Sequence, residues 1–325
     1  MEKVTMADVA KEAGVSKSTV SQFLNKRYEY MGEKTRRKIE AAIEKLGYQP
    51  NYIARSLKQK RTSMVGIIVA NIVHHFSTEV SRAIEDFFHM YDLHVIVCNA
   101  DDDPKKEKRY IEMLRAKQVD GLIIFPSEHN HELYESMVKE GYPVVFVDRK
   151  VESLDACSVI TDNTESTYRA IMNLIEKGHR NIAFAVQPLT VSPRIDRLKG
   201  YKKALKDAGL EINPDYIVEA DIPELKWKLG QLFSSAKKPT AIFAANERVF
   251  LAVMEFIKER EIKLGKEMEL IVFDNIPFVH LLEAPISYII QPAYEMGKKA
   301  AELLYEQIQG EDIAKKKFIF PSRLV

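Results

Sequence analysis

The sequence predicts a small all-α helix-turn-helix head followed by an α/β body of two doubly wound parallel-sheet lobes. Three observations point there. At 325 residues the chain is too long for one ordinary core, which favours two or three domains. Its charge is divided: residues 1–61 hold 14 Lys and Arg against 7 Asp and Glu, a net of +7, and the rest of the chain carries −6. The hydrophobic pattern changes at the same place. Short helical faces precede residue 62, and strand-like runs alternating with amphipathic helices follow it.

The head is built first. Thr5 reads as a helix cap, and Asp8 stands three residues later in the capping-box position. Met6, Val9, Ala10 and Ala13 then recur at i, i+3, i+4 and i+7, one face of a helix that Gly14 stops. Val15 and Ser16 connect to a second helix, with Ser16 as its cap. There Val20, Phe23 and Leu24 lie on one side, and Lys17, Ser18, Ser21, Gln22 and Asn25 on the other. Two short helices around a glycine turn form the helix-turn-helix pattern. The polar face carries side chains that reach base edges, Gln for adenine, Lys for guanine and Ser for either, and no acidic residue to oppose phosphates. A third helix runs from Glu33 to Leu46, with Ile39, Ala42, Ile43 and Leu46 inward and Gly47 as its stop. After Pro50, the segment Asn51 to Leu57 is too short to hold a helix alone in water, so it should order only against a partner. On the residues alone, Leu57 reads as a hydrophobic contact within a linker.

The body follows. Met64–Ala70, His94–Ala100, Asp120–Pro126 and Pro143–Asp148 are apolar strands separated by helices near 77–91, 104–118 and 131–141. A second series runs Ser158–Asp162, Asn181–Val186, Ile217–Asp221, Thr240–Ala245, Met268–Asp274 and Ser287–Gln291, with helices near 166–178, 193–209, 224–236 and 248–260. Apolar strands joined by helices make parallel sheets covered on both faces, and two runs suggest two lobes. A (β/α)8 barrel is the alternative. Ligands of open α/β sheets sit at the carboxyl ends of strands. Here those ends carry Asn71, Ser127, Asp148-Arg149, Asp221, Asn246-Glu247, Asp274-Asn275 and Gln291, a series that argues for a cleft with polar walls.

These motifs resemble the LacI family of bacterial transcription repressors. In the head the match runs through Val4-Thr5-Met6-Ala7-Asp8-Val9-Ala10, the stretch Ala13 to Asn25, and Pro50-Asn51 with Ala54-Arg55-Ser56-Leu57. In the body it runs through Asp162-Asn163, Gly178-His179-Arg180, Arg197 with Gly200-Tyr201, Pro239 to Phe243, Phe273-Asp274-Asn275 and Gln291-Pro292. The resemblance implies a body similar to periplasmic sugar-binding proteins, with three crossings between lobes. Its implied domains are a DNA-binding domain at 1–49, a hinge helix and linker at 50–61, and an effector-binding and dimerisation domain at 62–325. Lobe 1 would take about 62–161 plus 292–325, and lobe 2 about 162–291. Operator contacts are implied at Thr5, Ser16, Lys17, Ser18, Thr19, Ser21, Gln22 and Asn25, and at Asn51, Arg55 and Leu57 of a hinge that enters the minor groove, where Leu57 would wedge a base step. Effector contacts are implied at Phe76, Asp148, Arg149, Arg197, Asn246, Asp274 and Gln291.

The chain departs from the family pattern at Gln22, at Asn246-Glu247 in place of Asn-Asp, and at His74-His75-Phe76-Ser77 in the first-lobe loop. His74, His75, Arg149, Arg194 and Arg197 around the mouth favour a sugar acid over a neutral sugar, loosely similar to repressors answering keto-deoxygluconate. The expected partners are operator DNA, a small sugar or sugar-acid effector and a second copy of the chain, with no membrane. The expected action is repression of carbohydrate catabolism genes, relieved by the effector; co-repression is the alternative.

Other classes find little support. There is no Walker-type loop, no G-x-G-x-x-G after a strand, no G-x-S-x-G elbow and no His/Cys metal spacing, so no enzyme, metal or cofactor is expected. No leader or apolar run of ~20 residues is seen, and Cys98 and Cys157 make no disulfide framework, which fits the cytoplasm and argues against a secreted sugar-binding protein.

Overall fold

A computed structural model of the chain describes residues 4–29, 31–49, 61–151, 154–311 and 317–325. Residues 1–62 and 63–325 form two compact units.

The first unit contains α1 (Met6–Ala13), α2 (Lys17–Leu24) and α3 (Glu33–Leu46). The backbone N–H and the hydroxyl of Thr5 both donate to the Asp8 carboxylate, at 2.8 and 2.6 Å. That is half of a capping box made with Asp in the role more often played by Glu. Ser16 Oγ accepts the Thr19 N–H at 3.1 Å and starts α2. Gly14 and Gly47 end α1 and α3 at φ +65 and +59, a conformation cheap only for glycine. The apolar faces meet in a core of Val9, Ala10, Ala13, Val20, Ile39 and Ala42, closed by Met31 and Tyr48.

The second unit holds two open six-stranded sheets, which rules out the barrel alternative. The first sheet contains β1 (Met64–Val69), β2 (His94–Asn99), β3 (Gly121–Ile124), β4 (Val144–Val147), β5 (Ser158–Thr161) and β11 (Lys317–Phe320), in the order β11-β5-β4-β3-β1-β2, all parallel. The second contains β6 (Ile182–Val186), β7 (Ile217–Glu219), β8 (Ala241–Ala244), β9 (Glu269–Phe273), β10 (Ser287–Ile290) and β12 (Arg323–Leu324), in the order β12-β10-β9-β8-β6-β7. Only β12 runs antiparallel there. Successive residues of each central strand serve opposite cores, as a sheet covered on both faces requires. Along β1, Val65, Ile67 and Val69 face one core and Ile68 the other. Along β8, Ile242 and Ala244 oppose Ala241 and Phe243 in the same way.

The helices covering lobe 1 are α4 (His75–His89), α5 (Pro104–Ala116), α6 (His131–Lys139) and α11 (Ala293–Gln309). Those covering lobe 2 are α7 (Asn163–Glu176), α8 (Ser192–Asp207), α9 (Ile222–Phe233) and α10 (Glu247–Glu259). The chain passes between lobes at 161–163, 290–293 and 320–323. Asp162 ties two crossings together. Its N–H donates to Phe320 O at 3.1 Å, and its Oδ1 accepts the Ser322 N–H at 2.8 Å.

Two expectations need correction. The last residues do not stay in lobe 1: Ile289 pairs with Leu324 and Ile290 with Arg323, so 323–324 closes the edge of the second sheet. A two-residue strand is too short to carry a readable period. The helix entering lobe 2 begins at Asn163, not near 166, because Asp162 is its cap residue and accepts the Ser166 hydroxyl at the backbone oxygen.

Candidate functional site

Both sheets share one strand order, and each reverses direction at a single point. In lobe 1 that point lies between β1 and β3, and in lobe 2 between β6 and β8. Ligands of doubly wound sheets sit outside the strand carboxyl ends at such points. The segments that leave these strands carry His74, Phe76 and Phe125 in lobe 1, and Val191 and Asn246 in lobe 2. All of them line one cavity of about 60 Å³ between the lobes, together with Asp148, Arg149, Arg194, Arg197, Asp274 and Gln291. The structure thus brings all seven sequence-read cleft residues to one place: Phe76, Asp148, Arg149, Arg197, Asn246, Asp274 and Gln291. A second opening of about 410 Å³ adjoins it and shares Phe76, Asp274 and Gln291 as a common wall.

Arg197 is fixed by its helix neighbours. A side chain at Gly200 would collide with the Thr164 carbonyl, so glycine lets α8 lie close against α7. That contact sets Asn163 to accept Arg197 Nε at 2.8 Å, while Nη1 donates to Ala245 O at 2.6 Å. The guanidinium also stacks 3.6 Å from the centre of the Phe273 ring. Burial lowers its hold on its proton despite the nearby Asp274 charge.

Two aspartates at strand ends adopt left-handed backbone, Asp148 at φ +70 and Asp274 at φ +119. Such conformations cost free energy in a non-glycine residue and concentrate where side chains must be aimed. Asp274 Oδ1 accepts Gln291 Nε2 at 2.6 Å and its Oδ2 accepts the Glu247 N–H at 3.2 Å. Burial nevertheless raises its carboxyl to about 6, against the pull of Arg197 and these hydrogen bonds. Burial raises Asp148 as well, with Arg149 and Arg197 opposing. Asn246 caps α10 through Val249 N–H at 3.0 Å and donates to Gln187 Oε1 at 2.9 Å. Phe76 packs edge-on against Phe125, their centres 6.3 Å apart, which gives the cavity one apolar face.

Several residues at the site escaped the sequence reading. Asp102 ion-pairs Arg149 and lies 3.4 Å from Arg194. Burial alone would raise its carboxyl, but Arg149 and Arg194 hold it below the ordinary value. It follows β2, the one early strand whose end the polar series skipped, so the same rule would have found it. Asn163 and Gln187 also stand just past strand ends, those of β5 and β6, but their partners Arg197 and Asn246 are tertiary contacts that no local pattern announces. His74 is kept neutral by burial, its proton lost down to about 4.

Contacts also cross the cleft. Glu247 of lobe 2 accepts the His75 N–H, the first of α4 in lobe 1, at 2.9 Å. Lys150 N–H donates to Ser192 Oγ at 2.8 Å, and the Lys150 ammonium pairs with Asp196.

In the head, Thr5, Ser16, Lys17, Ser18 and Gln22 are exposed, and Thr19, Ser21 and Asn25 are half-buried. Ser16 and Thr19 hydroxyls are 2.8 Å apart in the capping cluster, and Asn25 Nδ2 donates to Ser21 O at 2.7 Å. Asn51, Arg55 and Leu57 lie outside the described residues. Among the described residues no cluster of His, Cys, Asp and Glu gathers to hold a metal, and no helix is long and apolar enough to cross a membrane.

A helix-turn-helix unit joined in one chain to a two-lobed body with a polar interlobe cavity defines a ligand-responsive DNA-binding regulator. Comparison with known proteins gives the particular family. Residues 5–51 match the family described as bacterial regulatory proteins, lacI family, and residues 62–323 the family described as periplasmic binding proteins and sugar binding domain of LacI family. The chain belongs to the LacI family, and it is a DNA-binding transcriptional regulator rather than an enzyme. It is 46% identical over 311 residues to the "Probable HTH-type transcriptional regulator EndR" of Paenibacillus polymyxa, covering 95% of this chain and 92% of the relative. It is 33% identical over 327 residues to the catabolite control protein A of Priestia megaterium, covering 99% and 97%. The lac repressor dimer bound to operator and the anti-inducer ONPF is similar in structure, with a TM-score of 0.87 at 26% identity, over 100% of this chain and 98% of that one.

Proposed function

We propose that this chain is a cytoplasmic homodimeric repressor of carbohydrate catabolism genes, released from a pseudo-palindromic operator when a small sugar or sugar acid binds between its lobes. The observation that carries the reading is the interlobe cavity, where Arg197 and Asp274 from lobe 2 meet Asp148 and Arg149 from lobe 1. A ligand held by both lobes binds one lobe angle better than another and shifts the equilibrium by that difference, typically about 1–3 kcal/mol. Two-fold pairing of subunits presents two heads to two half-sites, which is why the operator is expected to be palindromic. Lys17, Ser18 and Gln22 would read bases from α2. Thr5, Ser16, Thr19, Ser21 and Asn25 would border the groove, and Asn51, Arg55 and Leu57 would serve the minor groove.

A thermal-shift screen of the full chain against sugars, sugar acids and sugar phosphates tests the cleft. Stabilisation by at least one compound is expected. Arg197→Ala should abolish both that stabilisation and the release of operator while operator binding itself persists. A full response in Arg197→Ala would show that the ligand binds elsewhere.

A further inference from the structure

Two guanidinium groups meet at the cavity, and they are unequally compensated: Asp102 and Asp148 hold the Arg149 proton above its ordinary affinity despite burial, whereas Arg194 is left short of negative charge. Arg149 of lobe 1 and Arg194 of lobe 2 share one carboxylate across the cleft, that of Asp102. Arg149 is 6% exposed, and its Nε has no hydrogen-bond partner. A carboxylate oxygen of Asp148 stands 3.6 Å from that nitrogen, too far for a hydrogen bond. Arg194 is 9% exposed, and its Nη1 reaches only neutral oxygens, Pro188 O at 3.0 Å and Thr190 Oγ1 at 3.4 Å. Burial depresses the Arg194 proton affinity, with Arg149 and Arg197 adding repulsion that Asp102 and Asp148 only partly offset. A buried cation that shares its partner is costly unless a further anion completes it. Acceptors that suit hydroxyl groups lie on the same cavity: the Asp148 and Asp274 carboxylates, and Gln291 Oε1, which is buried and unpartnered.

We propose that the effector is an anionic polyol, a sugar carrying a carboxylate or phosphate, whose charged group is taken by Arg194 together with Arg149. Its hydroxyls go to Asp148, Asp274 and Gln291. Asp102 is a positioning residue that aims the two guanidinium groups from opposite lobes, so an anion between them draws on both lobes at once. Charge-assisted hydrogen bonds to guanidinium are about twice as strong as neutral ones, and a neutral sugar would leave both cations as they stand. The inference rests on the reading of this cleft as the effector site.

Isothermal titration of the full chain separates the two. The probes are hexonates, hexuronates and keto-deoxy hexonates, each beside its neutral sugar or alditol, and the matching sugar phosphates. At least one anionic probe should bind at least 100-fold more tightly than its neutral counterpart, and weaken as salt rises. Preference for an acid assigns the carboxylate, and preference for a phosphate ester assigns the phosphate. Arg194→Met should weaken that probe at least 30-fold, and Arg194→Lys, which restores the charge, should recover part of the loss. Asp102→Asn should weaken the anionic probe by a larger factor than its neutral counterpart, and an equal loss of both would remove the positioning role from Asp102. A neutral sugar that binds as well as its acid, and loses binding in Arg197→Ala, would overturn the anion assignment and leave the cleft as the effector site. An acid indifferent to both Arg194→Met and Arg197→Ala would overturn both readings. Silence of the whole panel would overturn the anion assignment.

Discussion

Asp274 is held under opposing demands. Its carboxylate accepts two hydrogen bonds and faces Arg197, yet burial lifts it from the ordinary 3.8 to about 6. The folded chain therefore keeps this proton to a higher pH than the unfolded chain does. Its contribution to stability is fullest below the ordinary value, declines as pH climbs, and is gone above about 6. A ligand whose hydroxyls donate to the ionised carboxylate reverses that preference. Ligand affinity should be level above pH about 7 and fall up to tenfold per unit below about 6. Asp274→Asn should flatten the profile in titrations between pH 5 and 8. A flat profile in the unmodified protein would remove Asp274 from ligand contact. At this scale the candidate cleft was legible because strand ends expose their polar residues in a countable series. What stayed hidden was partnership. Asp102 lies 92 residues from Arg194 along the chain, and Asn163 orients Arg197 across a helix contact that glycine alone makes close enough.

Helices and strands were read from caps and periods; that reading passed over α11, although Gly310 stops it and Met296, Ala300, Leu303 and Leu304 give it a clear apolar face, and it missed the last strands, where those signals are weak. Caps at Thr5 and Ser16 and stops at Gly14 and Gly47 are local chemistry, so α1 to α3 stand where the sequence puts them. β11 and β12 are held by pairing with β5 and β10, partners distant in sequence, and carry no period of their own. α2 presents Gln22 exposed on the face away from Val20. Gln22→Ala should change preference at particular operator positions, about 1–3 kcal/mol each, in a binding-site selection. Uniform weakening across all sequences would make Gln22 a backbone contact instead. α4 is capped from outside its own lobe, since Glu247 of α10 accepts its first N–H. An anion at a helix N-terminus contributes about 0.3–1 kcal/mol, more when partly buried. Glu247→Ala should therefore loosen the contact between the lobes and weaken ligand binding roughly three- to tenfold, with Glu247→Gln intermediate. Titration of the two variants reads this directly, and unchanged affinity in both would show that the contact does not bias closure.

At the scale of the molecule, the division between a cationic first 61 residues and an acidic body was visible in the charges alone. Two lobes followed from two runs of apolar strands. The return of the chain at 320–323 did not, because Pro321-Ser322 resembles any other loop and only the pairing of Ile289 with Leu324 reveals the destination. Three crossings make the lobe angle the soft coordinate, since few segments must bend to change it. The proposed release depends on a ligand that prefers one such angle and on heads whose spacing follows it. The most direct measurement is fluorescence anisotropy of a duplex selected by the full chain from a random pool, at moderate salt with excess random competitor. The account predicts tight binding to a pseudo-palindromic duplex, and release when the cleft ligand is added to the unmodified protein but not to Arg197→Ala. Equal binding to every duplex, with the ligand present or absent, would contradict it.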